Sequence, residues 1–262
     1  MLCDTHAHLD FNDFEQDRDG VIERAHEAGV MCIINPGCDI ETSKKAVHLS
    51  RTYRAVYAAV GIHPNSTHEA APGDILEIAR LASDPGVVAI GEIGLDFYRD
   101  RSPRDVQIRA FRSQLDLART LDLPIIIHFR AVEYDGIERI GEHYFQGLRG
   151  VFHCFGGSVG FAEKVLSLGF YIGFDGPLTY RNSDRIDVAH FVPVERCLIE
   201  TDAPFLTPQK YRDRRNEPAY VAEVAYKLAE IKAMDADEVI AATGRNACDL
   251  FGLHAETVPG KQ

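Results

Sequence analysis

The sequence lacks any pair of cysteines at C-x-x-C spacing, and this absence excludes the usual zinc-ribbon and dithiol redox motifs. Its 6 cysteines stand singly, so we expect reduced thiols that are mostly buried. No apolar run comes near the roughly 18 residues that a membrane-spanning helix needs. The first residues also lack the basic and apolar segments of a secretory signal. These absences predict a cytoplasmic protein without a membrane segment.

Positive charge is scarce relative to negative charge. The chain has 28 Lys and Arg residues against 40 Asp and Glu residues, for a formal net charge of −12 at pH 7. Proteins that coat long nucleic acids need a broad basic face, so the composition excludes that mode of binding but leaves room for a small, locally basic site. The 262 residues are enough for one large core, and we expect a single domain over residues 1–262 that is monomeric.

Short β-rich runs alternate with helical patterns from end to end. Eight runs are predicted to be strands: Leu2–Asp4, Val30–Ile34, Val56–Val60, Val87–Ile90, Ile125–Ile127, Val151–Phe152, Tyr171–Phe174 and Cys197–Ile199. Two closing helices are predicted over Tyr220–Lys232 and Asp237–Leu250. Eight strand–helix units of about 30 residues predict an α/β fold, a single (β/α)8 TIM barrel. An open, doubly wound sheet is the alternative, but no G-x-G-x-x-G follows the first strand.

Metal-binding side chains stand at the ends of several predicted strands. His6 and His8 follow the first strand, and residues i and i+2 of a strand point to the same side, so both rings can reach one ion. The same end of other strands carries Glu92, His128, His153 and Asp202. Barrel enzymes hold their active sites at this rim. Four histidines and two carboxylates exceed what one tetrahedral zinc uses, so we expect two divalent ions bridged by Glu92.

Other ionisable residues near these strand ends have predicted roles in catalysis. Asp202 is expected to accept the proton of the attacking water besides holding a metal. His63 is expected to contact the phosphate or protonate the leaving group, because an imidazole titrates near working pH. It could instead be a turn histidine before Pro64. Asp4 and Glu200 could hydrogen-bond to the ligating imidazoles, or face the helices and pair with basic residues.

Two loops beside the predicted ligands are rich in basic residues. Lys210, Arg212, Arg214 and Arg215 follow Asp202, and Arg99, Arg101 and Arg104 follow Glu92. Arginine forks match phosphate oxygens with two hydrogen bonds, so these loops predict a short phosphate-binding track. The alternative is a pair of solvated charged loops.

Seven short motifs occur in order along nearly the whole chain. They are Asp-Thr-His-Ala-His-Leu-Asp from Asp4, Gly-Ile-His-Pro from Gly61, Gly-Glu-Ile-Gly-Leu-Asp from Gly91, Pro-Ile-Ile-Ile-His from Pro124, His-Cys-Phe from His153, Glu-Thr-Asp-Ala-Pro from Glu200 and Arg-Asn-Glu-Pro from Arg215. Together they resemble the TatD-type metal-dependent deoxyribonucleases. The resemblance implies a barrel, two divalent ions on the six residues named above, and cleavage of DNA phosphodiester bonds, often from 3′ ends.

The chain departs from that family pattern at two places. The family usually continues His-Ser/Thr-Arg-Asp-Ala after the fifth strand, whereas this chain has His128, Phe129, Arg130, Ala131 and Val132. Arg130 is retained and is expected to contact the substrate phosphate, but the missing hydroxyl and carboxylate bear on substrate contacts and helix capping. Gly156 stands where the family usually has serine.

The sequence therefore predicts a metal-dependent hydrolase that acts on DNA ends or short single-stranded nucleic acid. One rival is a hydrolase of a small amide, lactone or amine on the same barrel, although no predicted strand end carries the lysine that carboxylated-lysine metal centres use. Another rival is a metal-binding scaffold protein that has lost catalysis. Histidine and carboxylate ligands serve zinc, magnesium or manganese, so metal identity stays open.

Overall fold

The chain folds into a barrel of eight parallel strands surrounded by helices, which confirms the predicted fold class. The computed structural model describes residues 1–71, 73–99 and 101–253, without the side chains of 133 and 134. The last residues of the predicted domain, 254–262, lie outside the described residues. No helix of the described part is long and apolar enough to cross a membrane.

The strands pair in sequence order, each parallel to the next. They are β1 Leu2–Asp4, β2 Val30–Pro36, β3 Val56–Val60, β4 Val87–Asp96, β5 Ile125–Arg130, β6 Gly150–Phe152, β7 Tyr171–Phe174 and β8 Cys197–Ile199. The ring closes between β8 and β1, where the Thr5 amide donates to the Ile199 carbonyl over 3.2 Å. Closure brings the carboxyl ends of all eight strands to one rim.

Each strand is followed by one helix, and a further helix ends the described chain. The helices are α1 Arg18–Glu27, α2 Ile40–Thr52, α3 Asp74–Leu81, α4 Arg104–Leu121, α5 Glu133–Ile140, α6 Val159–Ser167, α7 Ile186–Phe191, α8 Val221–Lys232 and α9 Ala236–Phe251. α2 begins with a capping box, in which the Asp39 carboxylate accepts from the Thr42 amide over 2.8 Å and the Thr42 hydroxyl accepts from the Asp39 amide over 2.9 Å.

Buried residues form two apolar clusters on the two sides of the strands. Alternate strand residues such as Ile33 and Ile127 pack outward against the helices, whereas Ile34 and Ile126 belong to a smaller cluster that fills the barrel. The end of α9 joins the smaller cluster through Leu250 and Phe251. This helix closes the barrel at its amino-terminal end, so the carboxyl rim is the end that stays open.

Three strands extend further than the sequence predicted. The predicted ends at Ile34, Ile90 and Ile127 rested on the polar residues that follow, but β2, β4 and β5 continue to Pro36, Asp96 and Arg130. In the extended part of β4, Gly94 stays in register with His128 and Asp96 with Arg130. Polar residues continue these strands because their side chains point to the rim rather than to a solvated loop.

Gly94 has a close contact that only glycine tolerates. Its φ is 146°, and a Cβ atom there would lie 2.1 Å from the His128 carbonyl oxygen. We expect Gly94→Ala to lower the free energy of unfolding by about 3 kcal/mol or more, because both the backbone angle and the neighbouring strand oppose a side chain. Urea unfolding measures this change.

Gly73 provides the matched control, since its φ is −88° and a Cβ atom there would meet nothing within 4 Å. Gly73→Ala should change the free energy of unfolding by less than about 1 kcal/mol. Equal stability of the two variants would contradict the close-packing argument.

Candidate metal centre

Glu92 is the carboxylate around which the other predicted ligands are arranged. Its side chain is 4% exposed. Oε2 lies 3.5 Å from His6 Nε2 and 3.7 Å from His8 Nε2. Oε1 lies 2.7 Å from His128 Nδ1 and 2.8 Å from His153 Nε2. The two oxygens of one carboxylate therefore face two different pairs of imidazoles.

Asp202 completes a first group of donor atoms, which also contains Glu92 Oε2 and the Nε2 atoms of His6 and His8. Its Oδ1 lies 3.7 Å from His6 Nε2 and 3.6 Å from His8 Nε2, and these two nitrogens are 3.2 Å apart. Ligand atoms about 2.0–2.2 Å from a tetrahedral ion are about 3.3–3.6 Å from one another. The donor spacing around Glu92 Oε2 therefore fits one divalent cation.

The second group surrounds the other oxygen of Glu92. His128 Nδ1 and His153 Nε2 are 3.1 Å apart, and both are in contact with Oε1. The far nitrogens of these rings lie near carboxylates, with His128 Nε2 3.5 Å from Asp96 Oδ2 and His153 Nδ1 3.6 Å from Glu200 Oε1. A carboxylate behind a histidine favours the proton on the far nitrogen and leaves the near nitrogen free to bind a metal.

His63 also approaches this group, but its tautomer gives it a different role. Its Nε2 lies 3.4 Å from Glu92 Oε1, and its Nδ1 accepts a hydrogen bond from the Asn65 amide over 3.1 Å. An amide N–H can only donate, so the neutral ring carries its proton on Nε2. His63 therefore presents an N–H group to the centre, whereas a metal ligand would need a free lone pair there.

Burial and the neighbouring charges shift the pKa values of the histidines in opposite directions. Burial lowers the pKa of His6, and it lowers the pKa of His8 to about 3. Burial also acts to lower the pKa of His153, but the carboxylates of Glu92 and Glu200 outweigh it and hold that pKa well above its usual value. His6 and His8 are therefore neutral at ordinary pH, which is the form that binds metal ions.

The pKa values of the two carboxylates of the centre also shift in opposite directions. Burial acts to raise the pKa of Glu92, but the charges of His153 and His63 and the hydrogen bond from His128 hold it well below its usual value. Burial raises the pKa of Asp202 well above its usual value, and Glu92, Asp175 and Glu200 add to the effect although His153 opposes it. A bound cation would offset this repulsion between carboxylates.

Two further carboxylates, Asp4 and Glu200, lie below the rim and have different partners. Asp4 accepts from the amides of Thr201 and His6 over 2.9 and 3.3 Å, and from the Thr201 hydroxyl over 2.6 Å. It therefore holds the main chain where β8 meets β1, rather than an imidazole ring. Glu200 lies behind His153 and also accepts from the Cys154 amide, as one of the sequence alternatives expected.

A cavity of about 1360 Å³ opens above the centre. Its lining includes four arginines, namely Arg99, Arg101, Arg130 and Arg185, and aromatic residues such as Phe11 and Phe205. The predicted phosphate ligands of the last loop lie outside this lining. Arg212 lies over the Tyr180 ring, Arg214 lies over the Tyr211 ring, and Arg215 pairs with Asp17 over 2.7 Å. Hydrogen bonds to Asp17 hold Arg215, whereas Arg212 and Arg214 stack on rings as Arg130 does on Tyr98, so phosphate binding by this loop stays a prediction.

The unusual residues after His128 shape one wall of the cavity. Phe129 packs edge-to-face on Phe152, with ring centroids 5.2 Å apart, and both line the cavity. Ala131 has a φ of 55°, and α5 begins after Val132 without a side-chain cap. An apolar wall and an uncapped helix therefore stand where the family pattern has a hydroxyl and a carboxylate.

Three residues at the rim were not identified from the sequence. Asp96 contacts His128 from the end of β4, and it shares the strand parity of Glu92, which is a signal that could have revealed it. Asp175 directly follows Phe174, the last residue of β7. Asp175 pairs with Arg185, and no local pattern in the sequence points to this pair.

Comparisons with known proteins agree with this geometry. The family model described as TatD related DNase matches residues 3–252. An uncharacterized metal-dependent hydrolase of Bacillus subtilis, YabD, is 41% identical over 97% of this chain and 100% of its own length. The 3′-5′ ssDNA/RNA exonuclease TatD of Salmonella typhimurium is 37% identical over 95% of this chain and 98% of its own length. The crystal structure of YjjV, a TatD homologue of Escherichia coli, superposes with a TM-score of 0.91 at 33% identity, over 97% of this chain and 98% of that one.

The turn that carries Asp202 depends on a buried asparagine. Asn216 Nδ2 donates to the carbonyl oxygens of Thr201 and Phe205 over 2.8 and 2.6 Å. We expect Asn216→Ala to lower the free energy of unfolding by about 1–3 kcal/mol, because two carbonyls lose their partner. It should also lower the bound divalent metal, measured by elemental analysis, because the turn no longer holds Asp202 in place.

Asn246 is a matched control at the opposite end of the barrel, where its Nδ2 donates to Val194 and Cys197 carbonyls over 2.8 Å each. Asn246→Ala should cost similar stability and leave the metal content unchanged. Equal metal loss in both variants would mean that general destabilisation, not the Asp202 turn, is responsible.

Proposed function

The chain belongs to the TatD family of metal-dependent hydrolases, and from that premise we propose that it is a nuclease that shortens single-stranded DNA from its 3′ end. The observation that carries the proposal is the arrangement around Glu92, whose two oxygens face separate donor groups beneath a cavity lined by arginines. Such a site combines metal ligands with cations that bind phosphate.

Charge and shape favour a nucleic-acid strand over a small neutral substrate. Four arginines line the cavity together with five carboxylates, of which Glu92 and Asp202 are proposed metal ligands and Asp96 lies behind His128. Phe205 is 51% exposed at the same cavity and packs edge-to-face on Phe11, with centroids 6.0 Å apart. Exposed aromatic rings offer stacking surfaces for unpaired bases. The Salmonella relative named a 3′-5′ ssDNA/RNA exonuclease supports the same substrate class.

We assign two divalent ions to the centre. His6, His8, Asp202 and Glu92 Oε2 would hold one, and His128, His153 and Glu92 Oε1 would hold the other. When bound, zinc, magnesium or manganese ions would lower the pKa of a water molecule and offset negative charge on the phosphoryl oxygens.

The protein side chains would supply proton transfer and orientation. The Asp202 side chain is 15% exposed whereas His6, His8 and Glu92 are at most 5% exposed, so Asp202 is the more accessible of the two ligating carboxylates and meets the cavity. It is placed to accept the proton of the attacking water. His63 directs its Nε2–H into the centre and is placed to donate a hydrogen bond to a phosphate oxygen. Arg130 and its neighbours at the rim would hold the phosphates of the strand.

The described residues that line the cavity argue against the rival small-molecule hydrolases. That lining contains no lysine, so a carboxylated lysine has no place between the donor groups. The apolar wall at Phe129 is the feature that would suit a small neutral substrate or a catalytically weakened protein. An activity screen separates these cases.

The function is tested with the protein purified without chelator. We expect up to two divalent ions per chain and stepwise shortening of a 5′-labelled single-stranded DNA oligonucleotide when zinc, manganese or magnesium is supplied. RNA, a small phosphodiester, a lactone and an amide are assayed in parallel. Hydrolysis of the lactone or amide without any phosphodiester cleavage would refute the nuclease proposal.

Glu92→Ala should abolish cleavage and lower the occupancy of both metal positions, since each oxygen serves one group. The exposed Glu142, which pairs with Lys164 on the surface, gives the control variant Glu142→Ala, expected to behave as wild type. Full two-ion occupancy in Glu92→Ala would exclude the bridging assignment.

Asp202→Asn tests the proposed proton acceptor. An amide keeps the size of the side chain but cannot take up the proton, so we expect the turnover number to fall about a hundredfold or more. Asp122, an exposed residue that pairs with Arg149 at the opposite end of the barrel, provides the control Asp122→Asn, which should keep normal turnover. Turnover of Asp202→Asn within threefold of wild type would rule the role out.

A further inference from the structure

An ion pair outside the metal centre is buried beside the same cavity. Asp175, which directly follows β7, is fully buried, and Arg185, which precedes α7, has a side chain 14% exposed. Arg185 Nη1 donates to Asp175 Oδ1. Arg185 lines the cavity, whereas Asp175 is absent from the described lining. The guanidinium therefore lies between a buried carboxylate and the cavity.

The hydrogen bonds of this pair are incomplete on both sides. A guanidinium has five N–H donors, and within the described residues Arg185 uses only two partners, Asp175 Oδ1 and the Cys154 sulfur, 3.8 Å from Nη2. Asp175 Oδ2 has no hydrogen-bond partner among the described residues. Arginine–carboxylate pairs frequently engage both oxygens through a two-pronged contact, which this pair does not make. Here most of the guanidinium fork is unused.

The neighbouring loop leaves that fork accessible. A Cβ atom at Gly156 would lie 3.7 Å from Arg185 Nη2, so the main chain of this loop runs beside the guanidinium without a side chain over it. Gly156 and Gly157 both line the cavity. The free donors of Arg185 are therefore open to a ligand in the cavity.

We propose that Arg185, anchored by Asp175, binds a phosphate group of the substrate beside the metal centre. Its partner Cys154 immediately follows the predicted ligand His153, so a phosphate held here would lie next to the second donor group. Arg185 differs from Arg99, Arg101 and Arg130, which are exposed, because its guanidinium is already desolvated and fixed. A fixed, partly buried guanidinium binds an oxyanion more strongly than a mobile surface arginine does. This inference rests on the proposed function for the identity of the phosphate.

The test measures binding of inorganic phosphate to the metal-loaded protein by titration calorimetry. The main variant is the double substitution Asp175→Asn with Arg185→Gln, which removes both charges and so leaves the net charge unchanged. No unpaired buried carboxylate remains, which protects the fold. We expect its Kd for phosphate to rise about tenfold to a hundredfold, as charge-assisted hydrogen bonds are lost, with metal content equal to wild type.

Two single variants refine the result. Arg185→Lys keeps the charge but not the fork and should weaken phosphate binding at least threefold. Arg149 pairs with Asp122 near the start of β6, at the opposite end of the barrel, so Arg149→Gln should bind phosphate as wild type does. If the double variant fails to fold, as judged by circular dichroism, Arg185→Lys decides the question.

The outcomes separate this inference from the proposed function. A rise in the KM of an oligonucleotide with kcat nearly unchanged in the double variant would extend the phosphate result to the substrate. Wild-type protein that binds phosphate through Arg185 but cleaves no nucleic acid would refute the nuclease and keep the anion site. Wild-type protein that binds no phosphate, or a folded double variant with a Kd within threefold of wild type, would overturn the inference.

Discussion

The rim of the barrel depends on one electrostatic constraint, the burial of Glu92 among five imidazoles. A carboxylate removed from water is costly unless cations or hydrogen bonds compensate it, and Glu92 meets this need with nitrogen atoms on both of its oxygens. Asp202 then brings a second carboxylate to the same group, and burial raises its pKa well above the usual value. Two divalent cations would neutralise both carboxylates and allow the imidazoles to stay neutral.

The fold meets this constraint by the way the barrel closes. His6 and Asp202 are almost two hundred positions apart, yet the parallel pairing of β8 with β1 brings them together, and Asp4 fixes that junction through the main chains of His6 and Thr201. The end of α9 packs against the opposite end of the barrel, whereas the described cavity opens at the rim that carries the ligands. The carboxylates behind His128 and His153 orient the rings before any metal arrives.

The sequence predicts the eight-stranded barrel because strand and helix periods alternate at a nearly constant interval. The sequence also predicts that the six candidate ligands come together, since each lies in the carboxyl-terminal half of a strand or at most four residues beyond its end. Asp96 was missed because the predicted fourth strand ended at Ile90, although β4 continues to Asp96. The arginines show the limit of local reasoning. Charge density at Arg212–Arg215 does not reveal that Tyr180, Tyr211 and Asp17 engage those side chains, nor that Arg185 reaches the cavity.

The cavity size and the two kinds of arginine together argue for a strand end as substrate. At about 1360 Å³ the cavity exceeds the roughly 300–1,000 Å³ of ordinary small-molecule pockets. Its exposed arginines can follow a flexible phosphate chain, whereas Arg185 offers one fixed position beside His153. The acidic remainder of the chain repels a long polyanion, and salt screens that repulsion only beyond about 10 Å. A strand end can therefore reach the arginines that line the cavity, while the acidic surface holds the body of a long nucleic acid away.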